Sequence, residues 1–273
     1  MQPITSLSIA GSDSGGGAGI QADLRTFSAF SVHGTTALTA VTAQNTIGVT
    51  GVVTIEADMV IAQVMSVVED FDVRSVKTGM LATAPIVEAV ARLARDGRLP
   101  HLVVDPVLVS TTGHLLMQEG GVAAYREALV PLATIVTPNL REAAVLCGID
   151  VRDVATVDDM IELASTILGL GPSYVLVKGG HFVVPTSDDA HAPDVLVHRD
   201  GVVVFDAPHV ETCNDHGTGC SLSAAIAAGL GLGRDVPDAV RDAKSFVLAA
   251  LTGAATWQLG HGRGPIDHLG WGP

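Results

Sequence analysis

The sequence predicts an α/β fold with a mainly parallel central sheet and helices on both faces. Three observations carry the prediction. Short, continuously apolar runs alternate along the chain with segments of helical periodicity, the pattern of strands buried on both sides and of the helices that cover them. Most of these runs stop on glycine or proline. Hydrophobic residues make up 48% of the 273 residues and charged ones only 16%, enough apolar material for a sizeable core. Aromatic residues are 4%, so that core is aliphatic.

Residues 7–10 read as a strand stopped by Gly11. From residue 18 to 30 a helix follows, with Ile20, Leu24, Phe27 and Phe30 on one side. Residues 35–42 are rich in β-branched side chains and read as one strand. Asp58 opens a helix to about residue 71 as its cap, with Val60, Val64, Val67 and Val68 as the buried stripe. Residues 73–77 read as a strand ending at Thr78-Gly79, and residues 85–95 as a helix with Pro85 in its first turn. The second half repeats the rhythm. Strands are expected over 101–105, halted by Pro106, over 134–137, halted by Pro138, and over 174–178, halted by Gly179-Gly180. A helix starts at Asn139. Residues 195–198 and 202–205 flank Arg199-Asp200-Gly201 as a hairpin. Helices over about 219–230 and 236–257 close the chain, and residues 183–194 read as an exposed loop. No linker, low-complexity run or repeat divides it, so residues 1–273 are read as one domain.

The formal charge of −14 argues against a sequence-independent grip on nucleic acid or on an anionic membrane, which needs a basic face. Three cysteines, Cys147, Cys213 and Cys220, form no C-x-x-C pair and suit a reduced compartment. With no signal-peptide pattern at residue 1 and no apolar stretch fit to span a bilayer, the chain reads as soluble and cytoplasmic.

In a sheet of this kind ligands sit at the carboxyl ends of the strands. There the sequence places the glycine-rich segment 11–19, Lys77-Thr78-Gly79, Asp105-Pro106, Pro138-Asn139, and Lys178-Gly179-Gly180-His181. Common motifs fail. The dinucleotide fingerprint breaks at Ile20, no P-loop is present, and the nucleophile-elbow spacing of 11–15 centres on Asp13 rather than serine. The ten histidines show no zinc-ligand spacing.

Gly217-Thr218-Gly219-Cys220 stand at the mouth of a helix built from small residues. Free N–H groups and the helix dipole favour an anion there, and glycine lets it approach closely. The same field is expected to lower the thiol pKa of Cys220. A tight loop before a closely packed helix, with an inert cysteine, is the plainer alternative. Of only three lysines, Lys77 and Lys178 stand at strand ends beside glycine, whereas Lys244 reads as a solvated helix position. Lys178 suits a phosphate contact as a point charge. Asn139 and Glu142 have the spacing of a capping box. With Asp105 they also compose an oxygen-rich region suited to Mg²⁺ held largely through water.

Seven segments, GSDSGGGAGIQAD (11–23), TAVTAQN (39–45), KTGM (77–80), VDPV (104–107), TPNLRE (137–142), VKGGH (177–181) and HGTGC (216–220), together resemble the hydroxymethylpyrimidine/phosphomethylpyrimidine kinases. These are the thiamine-pathway members of the ribokinase-like superfamily. The resemblance implies a ribokinase-like three-layer sandwich and ATP-dependent phosphorylation of 4-amino-5-hydroxymethyl-2-methylpyrimidine, then of its monophosphate. It implies ATP and Mg²⁺ as cofactors, a small pyrimidine as substrate, and a homodimer. By the same resemblance Gln44 contacts the pyrimidine, since its amide donates and accepts at once, and Gly11, Asp23, Met80 and Val107 line that pocket. Gly217, Thr218, Gly219 and Cys220 form the anion hole, and Lys178 contacts phosphate. Asp105, Asn139 and Glu142 mark the nucleotide and metal region, with Mg²⁺ held by Asp105 and Glu142 mostly through water. Cys220 stands where many relatives carry an aspartate base, and two roles stay open: a thiolate that accepts the hydroxyl proton, or a part of the anion hole alone, since a loose transition state needs little base help. Residues 46–55 are open to three readings: a dimer edge, a lid or a core strand. A departure is Asp215, a carboxylate beside the anion hole where threonine is expected; Cys213 and residues 188–193 are also atypical. The competing readings are a pyridoxal kinase of the same superfamily, a hydrolase with Cys220 activated by His216, and a non-catalytic nucleotide-binding regulator.

Overall fold

The computed structural model describes residues 2–108, 117, 120–180, 184–185 and 190–272. In chain order the strands are β1 (Thr5–Ala10), β2 (His33–Leu38), β3 (Ala40–Gln44), β4 (Val49–Thr54), β5 (Val73–Thr78), β6 (Leu102–Val104), β7 (Ile135–Val136), β8 (Tyr174–Lys178), β9 (Val184–Pro185), β10 (Ala190–His191), β11 (Asp194–His198) and β12 (Gly201–Phe205). The α-helices are α1 (Gly19–Ala29), α2 (Ala57–Val68), α3 (Ala84–Arg95), the single turn α4 (Gly121–Ala124), α5 (Leu140–Cys147), α6 (Val157–Leu168), α7 (Thr218–Gly231) and α8 (Val236–Ala254).

Eight strands form the central sheet in the order β12-β11-β8-β7-β6-β5-β1-β2. From β2 to β8 every pairing is parallel, and β11 and β12 extend the sheet antiparallel as a hairpin. Side chains alternate across it, as the strand repeat of two requires. Leu7, Ile9, Val76, Leu102, Val104, Val175 and Val177 join the core under α2, α3, α5 and α6. Val103, Ile135, Leu176 and Leu196 point the other way, under α1, α7 and α8. Helix α7 is nearly all small residues, and its segment from Ser221 to Gly231 is buried. It lies so close to the sheet that a Cβ at Gly231 would sit 3.0 Å from Ser75 Oγ, and Ser75 Oγ donates to the Ala227 carbonyl at 2.6 Å.

Four expectations change. The strand expected over 35–42 breaks at Thr39 into β2, in the sheet, and β3, in a separate ribbon with β4. Thr39 is fully buried and fixes the break: its N–H donates to the Ala10 carbonyl, its hydroxyl to the Met80 carbonyl at 2.6 Å, and its own carbonyl accepts from Ile55 N–H. The core-strand reading of 46–55 falls, because β4 is exposed from Val49 to Val53 and, among the described residues, pairs with β3 alone. Glu56, not Asp58, occupies the N-cap of α2, with no side-chain cap bond, so Asp58 acts only through its charge in the first turn. Within the expected loop, β9 and β10 pair antiparallel and β11 already begins at Asp194; residues 183 and 186–189, including the atypical Asp188 and Asp189, lie outside the described residues, as does His181.

Candidate active site

Strand β1 is flanked by β2 on one side and by β5 on the other. The chain thus reverses its winding at β1, and the crevice beyond its carboxyl end is where such sheets bind ligands. Gly11 leaves β1 there, with Met80 beside it: a Cβ at Gly11 would lie 2.6 Å from the Met80 methyl. Beyond Gly11 the glycine-rich loop folds around one carboxylate. Asp13 Oδ1 accepts from the N–H of Gly15 at 2.8 Å, and Oδ2 accepts from Gly17 at 3.0 Å and Ala18 at 2.8 Å. Burial alone would raise the Asp13 carboxyl, but His216 and the N–H groups of Ala18 and Gly15 outweigh it and hold it below the usual carboxylate range. His216 reaches Asp13 Oδ2 from the far end of the chain at 3.0 Å.

That reach brings the second glycine cluster onto the first. Gly217 caps α7 in the left-handed conformation, φ +85°, and a Cβ there would run into the Gly17 carbonyl. The N–H groups of the first turn of α7 have no intrahelical partner. Thr218 N–H turns back to the Asp215 carbonyl, leaving Gly219 and Cys220 aimed outward with the positive end of the dipole. Lys178 lies close by, since a Cβ at Gly219 would come 3.2 Å from its Nζ. Asp215, whose carboxylate threatened this cradle, is turned aside by Arg263, which donates Nε to Oδ1 at 2.8 Å and a second N–H to Oδ2.

Behind the cradle lies a buried ion pair. Lys77 Nζ is 2.9 Å from both oxygens of Asp23, Ser8 Oγ donates to Asp23 Oδ2 at 2.5 Å, and neither charged side chain is exposed. Burial opposes the Lys77 charge, but Asp23 first among its neighbours outweighs it and keeps the ammonium protonated. Asp23 therefore stands behind the pocket lining expected of it, with both oxygens engaged. The same burial corrects the expectation for Cys220. Desolvation pushes its thiol up to about 11, Lys77 pulls it down, and Asp23 and Asp105 push it further up. The expected lowering is reversed, and the group is a neutral thiol at neutral pH.

Along the sheet edge, Asp105 follows β6, Asn139 follows β7 and Lys178 ends β8. Lys178 Nζ donates to Asp105 Oδ1 at 2.9 Å and Ser223 Oγ to Oδ2 at 3.1 Å. Asn139 and Glu142 form the expected capping box, with Asn139 N–H to Glu142 Oε2 at 2.9 Å and Glu142 N–H to Asn139 Oδ1 at 3.0 Å. Burial pushes the Glu142 carboxyl up to about 8; Lys178 pulls it back and Asp105 adds to the rise. Val107 leaves the same strand end, half-buried.

The expected site residues thus gather along one edge, Asp23 excepted. Gln44, at the end of β3, sits over the crevice, with its amide 3.1 Å from His216 Nε2. Sequence reasoning assigned no site role to Asp13 or to Lys77. The signal for Asp13 was present, a lone carboxylate inside a glycine run, but its partner His216 stands 203 positions away.

What this edge offers chemically is a helix N-terminus and the Lys178 ammonium side by side at the crevice, an arrangement suited to an anion. That is the equipment of a small-molecule kinase of ribokinase-like architecture. The family model for phosphomethylpyrimidine kinase matches residues 13–267, and the chain belongs to that family. The hydroxymethylpyrimidine/phosphomethylpyrimidine kinase of Rhizobium meliloti is 48% identical over 265 residues, 96% of each chain. Among solved structures, an ADP complex of Bacillus subtilis pyridoxal kinase superposes with a TM-score of 0.86 at 39% identity, over 98% of both chains. The phosphomethylpyrimidine kinase of Clostridium difficile superposes with a TM-score of 0.78 at 39% identity, over 91% of this chain and 99% of that one.

Proposed function

We propose that this kinase transfers the γ-phosphoryl group of ATP to the hydroxymethyl group of 4-amino-5-hydroxymethyl-2-methylpyrimidine, and then phosphorylates the monophosphate, in thiamine biosynthesis. One observation carries the reading. His216 touches Gln44, the group suited to an aminopyrimidine edge, and is followed directly by Gly217 of the phosphate cradle. Ring recognition and phosphoryl transfer are therefore one residue apart. Pyridoxal kinase is the second reading, favoured by the Bacillus subtilis likeness. A cytoplasmic setting, where thiols stay reduced, goes with either.

In the proposed reaction the substrate hydroxyl attacks the γ-phosphorus in line. Such transfer is loose, and catalysis is mostly positioning and charge stabilisation. The N–H groups of Gly219 and Cys220 and the Lys178 ammonium provide it. Mg²⁺, when bound, neutralises phosphate charge. The donor set fits an ion held mainly through water. Asp105 and Glu142 are the carboxyl groups that would hold it, and since Lys178 and Ser223 already engage the oxygens of Asp105, water would complete the shell. Release of ADP, measured with the pyrimidine, its phosphate and pyridoxal, tests the assignment. Turnover of both pyrimidines, stopped by EDTA and restored by Mg²⁺, is expected. Turnover of pyridoxal alone would replace this reading with the second.

A neutral Cys220 acts through its N–H and its shape rather than as the base. Cys220→Ser is expected to keep kcat within about tenfold, against the roughly 10²–10⁴-fold that a positioned general base contributes. The sign with pH is equally definite. Below about 11 a thiolate base would raise kcat about tenfold per pH unit, so a flat profile from pH 7 to 9 is the expected record.

The homodimer is proposed through the β3–β4 ribbon. Val41 and Val53 face each other across it and are 47% and 66% exposed, an apolar patch suited to a second copy. Sedimentation velocity should give a dimer for the natural chain and a monomer for Val53→Asp.

A further inference from the structure

Gln44 sits between two neighbours that decide which end of its amide faces where. The amide oxygen and nitrogen are nearly isosteric, so the hydrogen-bond network makes the assignment. On one side is His216 Nε2, 3.1 Å from Gln44 Nε2. On the other is Thr42 Oγ1, 3.3 Å from Gln44 Oε1. Asp13 settles the first neighbour. Its carboxylate is ionised, anchored by the loop N–H groups, and only accepts. His216 Nε2, 3.0 Å from Asp13 Oδ2, therefore carries a hydrogen whether the imidazole is neutral or charged. A second donor, the amide N–H, cannot face it. Ser12 settles the other neighbour. Thr42 Oγ1 gives its single hydrogen to the Ser12 carbonyl at 2.7 Å and has only lone pairs left for Gln44. Both neighbours ask for the exchanged amide: Oε1 beside the imidazole Nε2–H, whose hydrogen it shares with Asp13 Oδ2, and Nε2 donating to Thr42 Oγ1.

We propose that the Asp13–His216 pair is a specificity-determining positioning device that locks the Gln44 amide in this exchanged orientation, so that it presents one carbonyl lone pair and one N–H to the ring. That pattern matches an exocyclic amino group beside an unprotonated ring nitrogen. It mismatches a 4-oxo pyrimidine, whose edge is an acceptor beside a ring N–H. The inference rests on the reading of Gln44 as the pyrimidine contact. Packing supports a rigid lock: a Cβ at Gly17 would lie 2.5 Å from His216 Cδ2, and Gln44 N–H is fixed to Ser14 Oγ at 2.8 Å. The groups facing the imidazole are Asp13, Gln44 and the loop backbone at Gly17; the nearby Asp215 is paired with Arg263.

The test compares kcat and KM for the 4-amino pyrimidine and its 4-oxo analogue. His216→Phe removes the N–H, and Asp13→Asn frees the imidazole tautomer; each should cut the preference for the 4-amino ring by about tenfold, the scale of one mispaired hydrogen bond. The loss should fall on KM more than on kcat, and His216→Gln, which restores a donor, should recover much of the preference. In a Gln44→Ala background the same changes should leave the remaining preference unaltered. If His216→Phe and Asp13→Asn lower kcat alone with the preference intact, or lower the preference equally with and without Gln44, the positioning proposal is overturned and the pyrimidine reading stands. If Gln44→Ala itself leaves KM and the preference unchanged, the pyrimidine reading fails first and takes the proposal with it.

Discussion

Gly217→Ala is expected to lower kcat by roughly 10²–10³-fold, the scale of losing one preorganised oxyanion donor. The residue sits at φ +85°, where a side chain is strained. Space is the larger obstacle. A Cβ would overlap the Gly17 carbonyl and lie 2.9 Å from its carbon and 3.3 Å from Ala18 Cα. Neither backbone can yield alone. Gly17 N–H is held by Asp13 Oδ2, and Gly217 accepts from Ser221 N–H at the start of α7. Relief must move the cradle, the glycine-rich loop or both, and a displacement near 1 Å at a transfer site costs on the order of 10²-fold. Steady-state kinetics at saturating substrates checks the number. Gly48→Ala is the control: a Cβ there meets nothing within 4 Å, and turnover should stay within about twofold. A Gly217→Ala enzyme with near-normal kcat would show that the first turn of α7 does not carry the rate.

What the sequence disclosed and what it hid follow from interaction range. The sheet was legible because strands buried on both faces read as unbroken apolar runs. The Asn139–Glu142 box was legible because both partners lie within one helical turn, as was the glycine-led N-terminus of α7 at residues 217–220. The hidden parts depend on distant partners. No local pattern joins Asp13 to His216, or Lys77 to Asp23. The carboxylate of Asp215 read as a threat to phosphate because Arg263 lies 48 positions further on. Thr39 hid a chain break because its neighbours on both sides are ordinary strand residues and its three tertiary hydrogen bonds leave no trace in composition. Cys220 shows the same limit in energetic form. The helix terminus can be read from sequence, but the burial that raises the thiol cannot.

The second large effect is on stability. Lys77→Met should destabilise the fold by about 3–5 kcal/mol, the usual result of removing one partner of a buried pair. Met replaces the length of the side chain but not its charge, and Asp23, wholly buried, keeps Ser8 alone as a side-chain donor among the described residues. Burial already raises its carboxyl in the natural chain, with Lys77 opposing the rise, so losing Lys77 would push it further up. The sign with pH follows. A folded-state pKa raised above the unfolded one gives stability that is present at low pH and lost as pH rises, so the deficit of Lys77→Met against the natural chain should widen from pH 4 to 7. Urea unfolding midpoints across that range read it directly. Removing both charges is the informative comparison. Asp23→Leu with Lys77→Met should recover most of the lost stability, since a packed apolar pair replaces a buried ion pair at little or no cost. Activity should not return with it. Lys77 is the neighbour that most opposes the rise of the Cys220 thiol, and Asp23 adds to that rise. The pair therefore sets the field behind the first turn of α7, and an apolar replacement that restores the fold leaves that field missing. A double variant that is both stable and fully active would mean that these two charges serve the fold alone.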